Sequence, residues 1–536
     1  MRKPFLPKST RAAALVALLL VAPVPLWLHG CTDLDESPTS SITPENFYRS
    51  EPEVLGGLAS VYASLRGTLD AWWNVTQVSS DETIVPTRGQ DWYDNGRWLE
   101  LDRQLWGANS VSGLEDVNGA WNNLFTGIAR ANVVLAALEN VNVTDKATVQ
   151  AELRTLRAFF YYLLMDMFGG VPIVTTTEIA QRPRNTRKEV FDFIETELTE
   201  VRAALPDRWP AEGWGRMTRG ATDAILASMY LNAGVFTRDD GISVTAYNSC
   251  QGVPVTGGNA CEAAITAADR ILNSGTYALA TDWRSNFTAS NHSSRENILV
   301  IRHLAQDGLG LNFVMRALHY NQFNPAPWNG FSTIADVYNS FDQDDRRRQI
   351  FLVGPQVNVE TGQPVTDRQG NNLVFVPDIP DPTQATEAQG VRILKFPADP
   401  AHVAQHNAND FTHFRLAEIY LIKAEALNEL GRLADAVLLV NTLRARAFDP
   451  PKPLNAASFN QASFRDQILK ERLFELANEG KRRQDLIRHA RFTQAWGPTL
   501  ANGSLWKQPR EPFRVLMPIP QSQLDTNPQL TQNPGY

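Results

Sequence analysis

The chain has 536 residues, 43% apolar and 20% charged, which excludes a wholly disordered polymer and suits a large buried core. Its formal charge is −8. An acidic chain without a long basic stripe argues against nucleic acid as a general partner, because that binding needs concentrated cations.

The first 30 residues read as a lipoprotein signal peptide. Arg2, Lys3, Lys8 and Arg11 precede the apolar run Ala12–Ala22, and no acid interrupts. Without them the chain carries 46 basic against 58 acidic residues, or −12. Leu28-His29-Gly30-Cys31 is similar to a bacterial lipobox, which implies cleavage before Cys31 and acylation, such as palmitate, on that cysteine. Each acyl CH2 buries roughly 0.8 kcal/mol, so several chains anchor firmly. No later segment reaches the length of a membrane span.

Thr43-Pro44 reads as a cap and first-turn proline opening a helix to about Arg66. Residues 67–110 look irregular, polar and aromatic, and six of the 13 Trp lie between Trp72 and Trp121. Helices follow near 114–138, 148–168, 188–205, 218–233 and 261–272, each from apolar residues recurring at three or four. Cys250 and Cys261 flank a turn-rich stretch. An oxidising compartment would allow a disulfide there, and two free buried thiols are the alternative.

From 284 to 410 the pattern loosens into a loop-rich insertion, a common place for a binding surface. Helical periodicity returns at 414–430 and 433–446, broken by Gly431, and again at 464–490. The Ala-rich pair around Gly431 looks like a tetratricopeptide hairpin. The expected organisation is one mostly α body, 31–536. It has an N-terminal helical part (31–283, with the aromatic loop 67–110), the insertion, and a C-terminal helical part (411–536).

Four blocks carry a family resemblance. They are the lipobox with the helix after it, Trp121–Asn132, Glu152–Phe159 continuing to Phe168-Gly169-Gly170-Val171-Pro172, and Phe414–Ala426 with Ile468–Arg472 and Met517-Pro518-Ile519-Pro520 after it. Together they resemble the SusD/RagB family of nutrient-binding lipoproteins across nearly the whole chain. The resemblance implies tetratricopeptide-like hairpins on one side and a large irregular, loop-rich ligand-binding region on the other. It implies a lipid-anchored protein on the outer membrane, facing the exterior. Such a protein captures an oligosaccharide and delivers it to a TonB-dependent transporter without catalysis. A peptide ligand and a non-binding helical scaffold are the alternatives. Arg154, Arg157, Glu418, Glu425, Glu471 and Arg472 sit inside these helical blocks and are expected to form structural ion pairs.

The residues themselves suggest where a ligand sits. A sugar offers an apolar C–H face to an indole and a rim of hydroxyls to Asp, Asn and Arg. In 72–109, Trp92 and Trp98 interleave with Asp81, Arg88 and Asn109, the candidate ligand-binding set. Trp106 and Trp121 read as core, and Trp72 and Trp73 remain undecided. In a second stretch, His319–Trp328, prolines would hold Tyr320 and Trp328 at the surface, where they would touch ligand or transporter. A glycoside hydrolase would need two carboxylates in one cleft, with Asp81/Glu82 or Asp342/Asp344/Asp345 as nominees. The latter trio is also a candidate calcium cluster, although it is no EF-hand loop. No other cofactor, metal or nucleotide motif is present.

Overall fold

The computed structural model describes residues 48–110, 112–238 and 242–536, so the leader, Cys31 and Pro44 lie outside the described residues. The described residues form one compact unit. The first described helix, α1, is Glu51–Ser64, with Pro52 in its first turn and Ser50 as its extended N-cap residue. The missing N–H of a proline costs nothing there.

The stretch read as irregular contains two helices. These are α2 (Ala71–Val78) and α3 (Arg97–Asp102). In α2 every residue after Ala71 is buried, including Trp72 and Trp73. A helix apolar or polar all round shows no stripe, so periodicity could not reveal it.

Two long helices follow, α4 (Glu115–Asn140) and α5 (Lys146–Phe168). They pack as a hairpin, and Gly127 brings them close: a Cβ there would meet the Phe160 ring at 2.5 Å. Every residue of α5 from Thr155 to Phe168 is buried, so it is the central rod of the fold. Gly169, at φ 73°, ends it in a left-handed turn.

Helix α6 (Arg187–Val201) starts at a reciprocal cap between Thr186 and Glu189. Helix α7 (Arg219–Leu231) starts where Thr218 Oγ1 accepts from the Ala221 N–H. The α7 helix packs on α8 (Ala260–Leu272), which packs on α9 (Leu416–Glu429). Helix α9 pairs with α10 (Leu433–Ala447) through Gly431 at φ 76°. Successive helices therefore pack pairwise against one another, as the tetratricopeptide-like hairpins expected from the sequence would. A Cys250–Cys261 disulfide, both half-cystines fully buried, secures the approach to α8.

Two boundaries differ from the sequence reading. The helix expected from Phe414 begins at Leu416, because Phe411–Arg415 is a strand. This strand, β2, runs antiparallel to β1 (Asn297–Ile301), with Val300 opposite Thr412 and Ile301 opposite Phe411. All ten residues are buried, so the pair clamps together the two ends of the loop-rich insertion. The helix expected over 464–490 is two helices, α11 (Gln461–Leu476) and α12 (Arg482–Arg488). Between them Asn478 and Gly480 take positive φ. The Asn478 N–H donates to Glu82, and the Gly480 N–H donates to Gln77 Oε1 at 2.9 Å. Side chains from the N-terminal half thus capture the backbone groups that a continuous helix would use.

The polar residues of the helical blocks are structural. Arg154 and Arg157 both grip Glu197 at 2.6 Å. Arg488 holds Glu425 at 2.7 Å, Arg472 reaches Glu418 at 3.4 Å, and Glu471 pairs with Arg444 at 2.5 Å. Arg415 is fully buried and joins β2 to α11 and the turn after it, with Glu475 at 2.7 Å and Glu296 and Glu479 at 2.9 Å. Fully enclosed pairs of this kind specify geometry; each charge depends on its partner for solvation.

Candidate ligand-binding site

The loop after α2 is made by tight backbone turns. Arg88 and Asp91 exchange both backbone hydrogen bonds, at 2.9 and 3.1 Å, around Gly89 at φ 67°. Trp92, Asp94 and Asn95 then all take positive φ, at 63°, 40° and 55°. Such backbone costs free energy at non-glycine residues and persists only when its surroundings hold it. Here the hold is visible. The Trp92 indole N–H donates to the Trp328 carbonyl at 2.6 Å. Its ring lies edge-on to Phe331 and Trp98, with centroids 5.6 and 5.5 Å away. Gly330 makes this possible, since a Cβ would meet the Trp92 ring at 2.3 Å.

The two stretches nominated from sequence therefore meet. Trp92 and Trp328 are each half-buried, and Tyr93 beside them is 56% exposed. Trp328 rests on the small cluster of Val314, Met315, Leu318 and Phe323. The Tyr320 hydroxyl donates to Asp91 Oδ2 at 2.5 Å, and burial together with this bond pushes its pKa up to about 12. A third segment closes the rim. The Arg368 guanidinium lies 4.3 Å over the Tyr320 ring, 3.2 Å from Asp91 and 2.5 Å from Glu387. His319 Nε2 is 2.9 Å from the other Glu387 oxygen. Burial opposes charge on Glu387, but the bonds from His319 and Arg368 prevail and hold its pKa at about 2.

Neither Tyr93 nor Arg368 was in the sequence-derived set. Tyr93 stood next to Trp92 with nothing local to mark it as the more exposed ring. Arg368 sits in a turn closed by Asp367, whose Oδ1 accepts from the Gln369 and Asn371 N–H groups. Asp-Arg-Gln-Gly marks the turn, but only the fold shows what it leans on.

Three expected ligand contacts are corrected. Trp98 is 4% exposed, with its N–H given to Asp94 at 2.6 Å, so it supports Trp92 from beneath and presents no free face. Arg88 is 1% exposed; it donates to the Asn329 carbonyl at 2.9 Å and to Ser332 Oγ at 3.0 Å, and burial lowers its pKa to about 10. Asp81 is taken by Arg482 at 2.7 Å. Asn109 is exposed in the 107–110 turn, and among the described residues no hydrogen bond joins it to the Trp92 cluster. Trp72, Trp73, Trp106 and Trp121 are core, at 4% exposure or less.

The nominated carboxylate groups do not make an acid–base pair. Burial raises the pKa of Glu82 to about 7, yet it is 1% exposed and engaged by Asn478 and Gln77, out of a substrate's reach. Asp342 and Asp344 clasp the Lys452 ammonium at 2.9 and 2.8 Å, and Asp345 turns inward to Arg347 at 2.7 Å. An ammonium thus fills the place proposed for calcium. Among the described residues no His, Cys, Asp and Glu group could hold a metal.

Comparison with known proteins agrees with this architecture. The model of the SusD family matches residues 270–536, and a model described as starch-binding, associating with outer membrane, matches residues 34–231. The chain belongs to the SusD family. SusD-like protein P2 of Formosa agariphila is 25% identical over 552 residues, covering 95% of this chain and 98% of the relative. The starch-binding protein SusD of Bacteroides thetaiotaomicron is 24% identical, covering 87% of this chain and 85% of its own length. Among solved structures, a laminarin-binding SusD-like protein superposes with a TM-score of 0.69 at 22% identity, over 91% of this chain and all of the other. Surface glycan-binding protein A of B. thetaiotaomicron, in complex with laminarihexaose, gives 0.68 at 19% identity, over 90% and 99%. These superpositions establish the SusD fold for this chain.

Proposed function

We propose that this SusD-family chain captures an oligosaccharide at the patch of Trp92, Tyr93, Tyr320 and Trp328. One observation carries this reading. Aromatic residues from two stretches 236 positions apart, locked by the Trp92–Trp328 bond, converge beside the charged rim of Asp91 and Arg368. Indole and phenol rings cover the C–H face of a sugar, while carboxylate and guanidinium groups bond its hydroxyls. Catalysis is not part of the reading. A general acid needs a raised pKa, and Glu387, the buried carboxylate at the rim, is held at about 2.

The SusD family is one of outer-membrane proteins, as one matching model describes. The finer reading is that Cys31 carries acyl chains, that the body faces the exterior, and that it hands ligand to a TonB-dependent transporter. Family membership and the Leu28–Cys31 motif support it.

Calorimetric titration with a panel of neutral hexasaccharides, laminarihexaose among them, tests the site. Binding that falls tenfold or more in Tyr93→Ala is expected. No binding across the panel, or full binding in both Tyr93→Ala and Arg368→Ala, overturns it. Co-purification of a TonB-dependent transporter with the intact lipoprotein tests the delivery step.

A further inference from the structure

A second cleft, sharing no lining residue with the Trp92 patch, opens beside the segment Trp209–Trp214 that precedes α7. One cavity of about 430 Å³ is walled by Arg66, Arg216, Arg302 and Trp214. An adjoining cavity of about 600 Å³ shares Trp214 and Arg302 and adds Arg208. Four guanidinium groups thus converge from three distant parts of the chain: after α1, before α7 and after β1.

Arg216 is neutralised by its ion pair with Glu152, and among the described residues the other three cations are not paired in this way. Arg66 donates to the Arg302 carbonyl at 3.3 Å, and Arg302 and Arg208 are exposed. Among the described residues, Arg66, Arg208 and Arg302 form no ion pair with a carboxylate. Burial lowers the Arg66 pKa, as expected of a cation that lacks a counter-charge. Glu212 and Asp410 are the acids on the two walls. Asp410 is occupied, accepting from the Trp214 indole at 2.6 Å and from the His303 N–H at 2.8 Å. A cationic cleft in a chain of net charge −8 runs against the overall balance.

Trp214 is the aromatic side chain that lines both cavities. The Asp410 bond fixes the Trp214 ring. Arg216, held by Glu152, stacks 3.6 Å over the Trp209 ring. An indole covers the C–H face of a sugar, and guanidinium forks match the paired oxygens of carboxylate and sulfate.

We infer that this cleft is a second saccharide site, selective for an acidic oligosaccharide that carries carboxylate or sulfate groups. It does not depend on the Trp92 patch, and the two can fail separately.

The test is calorimetric titration of the intact lipoprotein in detergent, at low salt, with hexagalacturonate, a heparin-derived hexasaccharide and neutral laminarihexaose. At least one acidic hexasaccharide is expected to bind. Its affinity should drop tenfold or more in Arg302→Ala, and drop again in 0.5 M sodium chloride as screening predicts. Response to laminarihexaose should be the same in Arg302→Ala as in the parent. Binding of heparin fragments without hexagalacturonate identifies sulfate as the recognised group; hexagalacturonate binding identifies carboxylate. Arg302 is exposed, so the variant keeps its fold. Failure of both acidic ligands to bind overturns the inference. So does binding that is unchanged in both Arg302→Ala and Arg66→Gln.

Discussion

The Trp92 indole bonds to the backbone carbonyl of Trp328 at 2.6 Å, although 236 residues separate them in the chain. This bond ties the loop after α2 to the loop-rich insertion, and it holds Trp92 in left-handed backbone. The patch is therefore a property of the pair of loops.

Gly330→Ala should disturb that pair directly. The added methyl would lie 2.3 Å from Trp92 ring atoms, and the Trp92 ring is the element that must yield. We expect saccharide affinity at this patch to fall about tenfold with a modest loss of Tm, read by titration and thermal melts together. Unchanged affinity would show that Trp92 is not held as described.

Trp98→Ala should behave as a core truncation. The ring is buried and touches Trp92 and Phe331. A loss of about 3–5 kcal/mol in stability is expected. Trp98→Phe, which keeps an aromatic ring on Phe331, should recover most of it and retain ligand binding.

Arg415→Met should be severe. Removing the guanidinium leaves Glu296, Glu475 and Glu479 buried, with Arg446, Lys395 and Arg347 as their remaining cations. Breaking a buried pair by deleting one partner costs about 3–5 kcal/mol. Chemical denaturation should register that loss, whereas Arg432→Met, on an exposed pair with Asp435, should shift the midpoint little.

Acid should reveal the Glu387 link. Its folded pKa of about 2 lies below the ordinary value of 4.5. The stabilisation is therefore complete above about pH 4.5 and is lost as pH falls toward 2. In Glu387→Gln the acid limb of the stability–pH curve should be flatter across that window, while the curve near pH 7 keeps its slope.

Reducing the Cys250–Cys261 disulfide should be mild. The closed loop spans a separation of 11 residues, worth about 3 kcal/mol of chain entropy. In a chain of this size that is a Tm decrease of roughly 3 °C. Saccharide binding at the Trp92 patch should persist under reductant.

Much of the helical frame was legible in the residues. The stripes of α4 and α5, the Ala-rich helices α7 and α8, and the hairpin about Gly431 declare themselves through local periodicity. So did the structural role of Arg154, Arg157, Glu418 and Glu425, since charges inside apolar helical blocks must find partners. The core assignment of Trp106 and Trp121 followed from the same logic.

The sequence by itself determined which stretches could coil into amphipathic helices, and which loops were rich in sugar-binding side chains. Only the tertiary structure decided that Tyr93 is exposed and Trp92 half-buried while Trp98 and Arg88 are covered. It also decided that Lys452 sits between Asp342 and Asp344, and that Phe411–Arg415 is a strand. The physical reason is range. Helical periodicity records interactions three or four residues apart, so it can be read along the chain. The exposure of a loop tryptophan depends on what a segment hundreds of residues away lays over it, as Trp328, Phe331 and Gly330 do around Trp92.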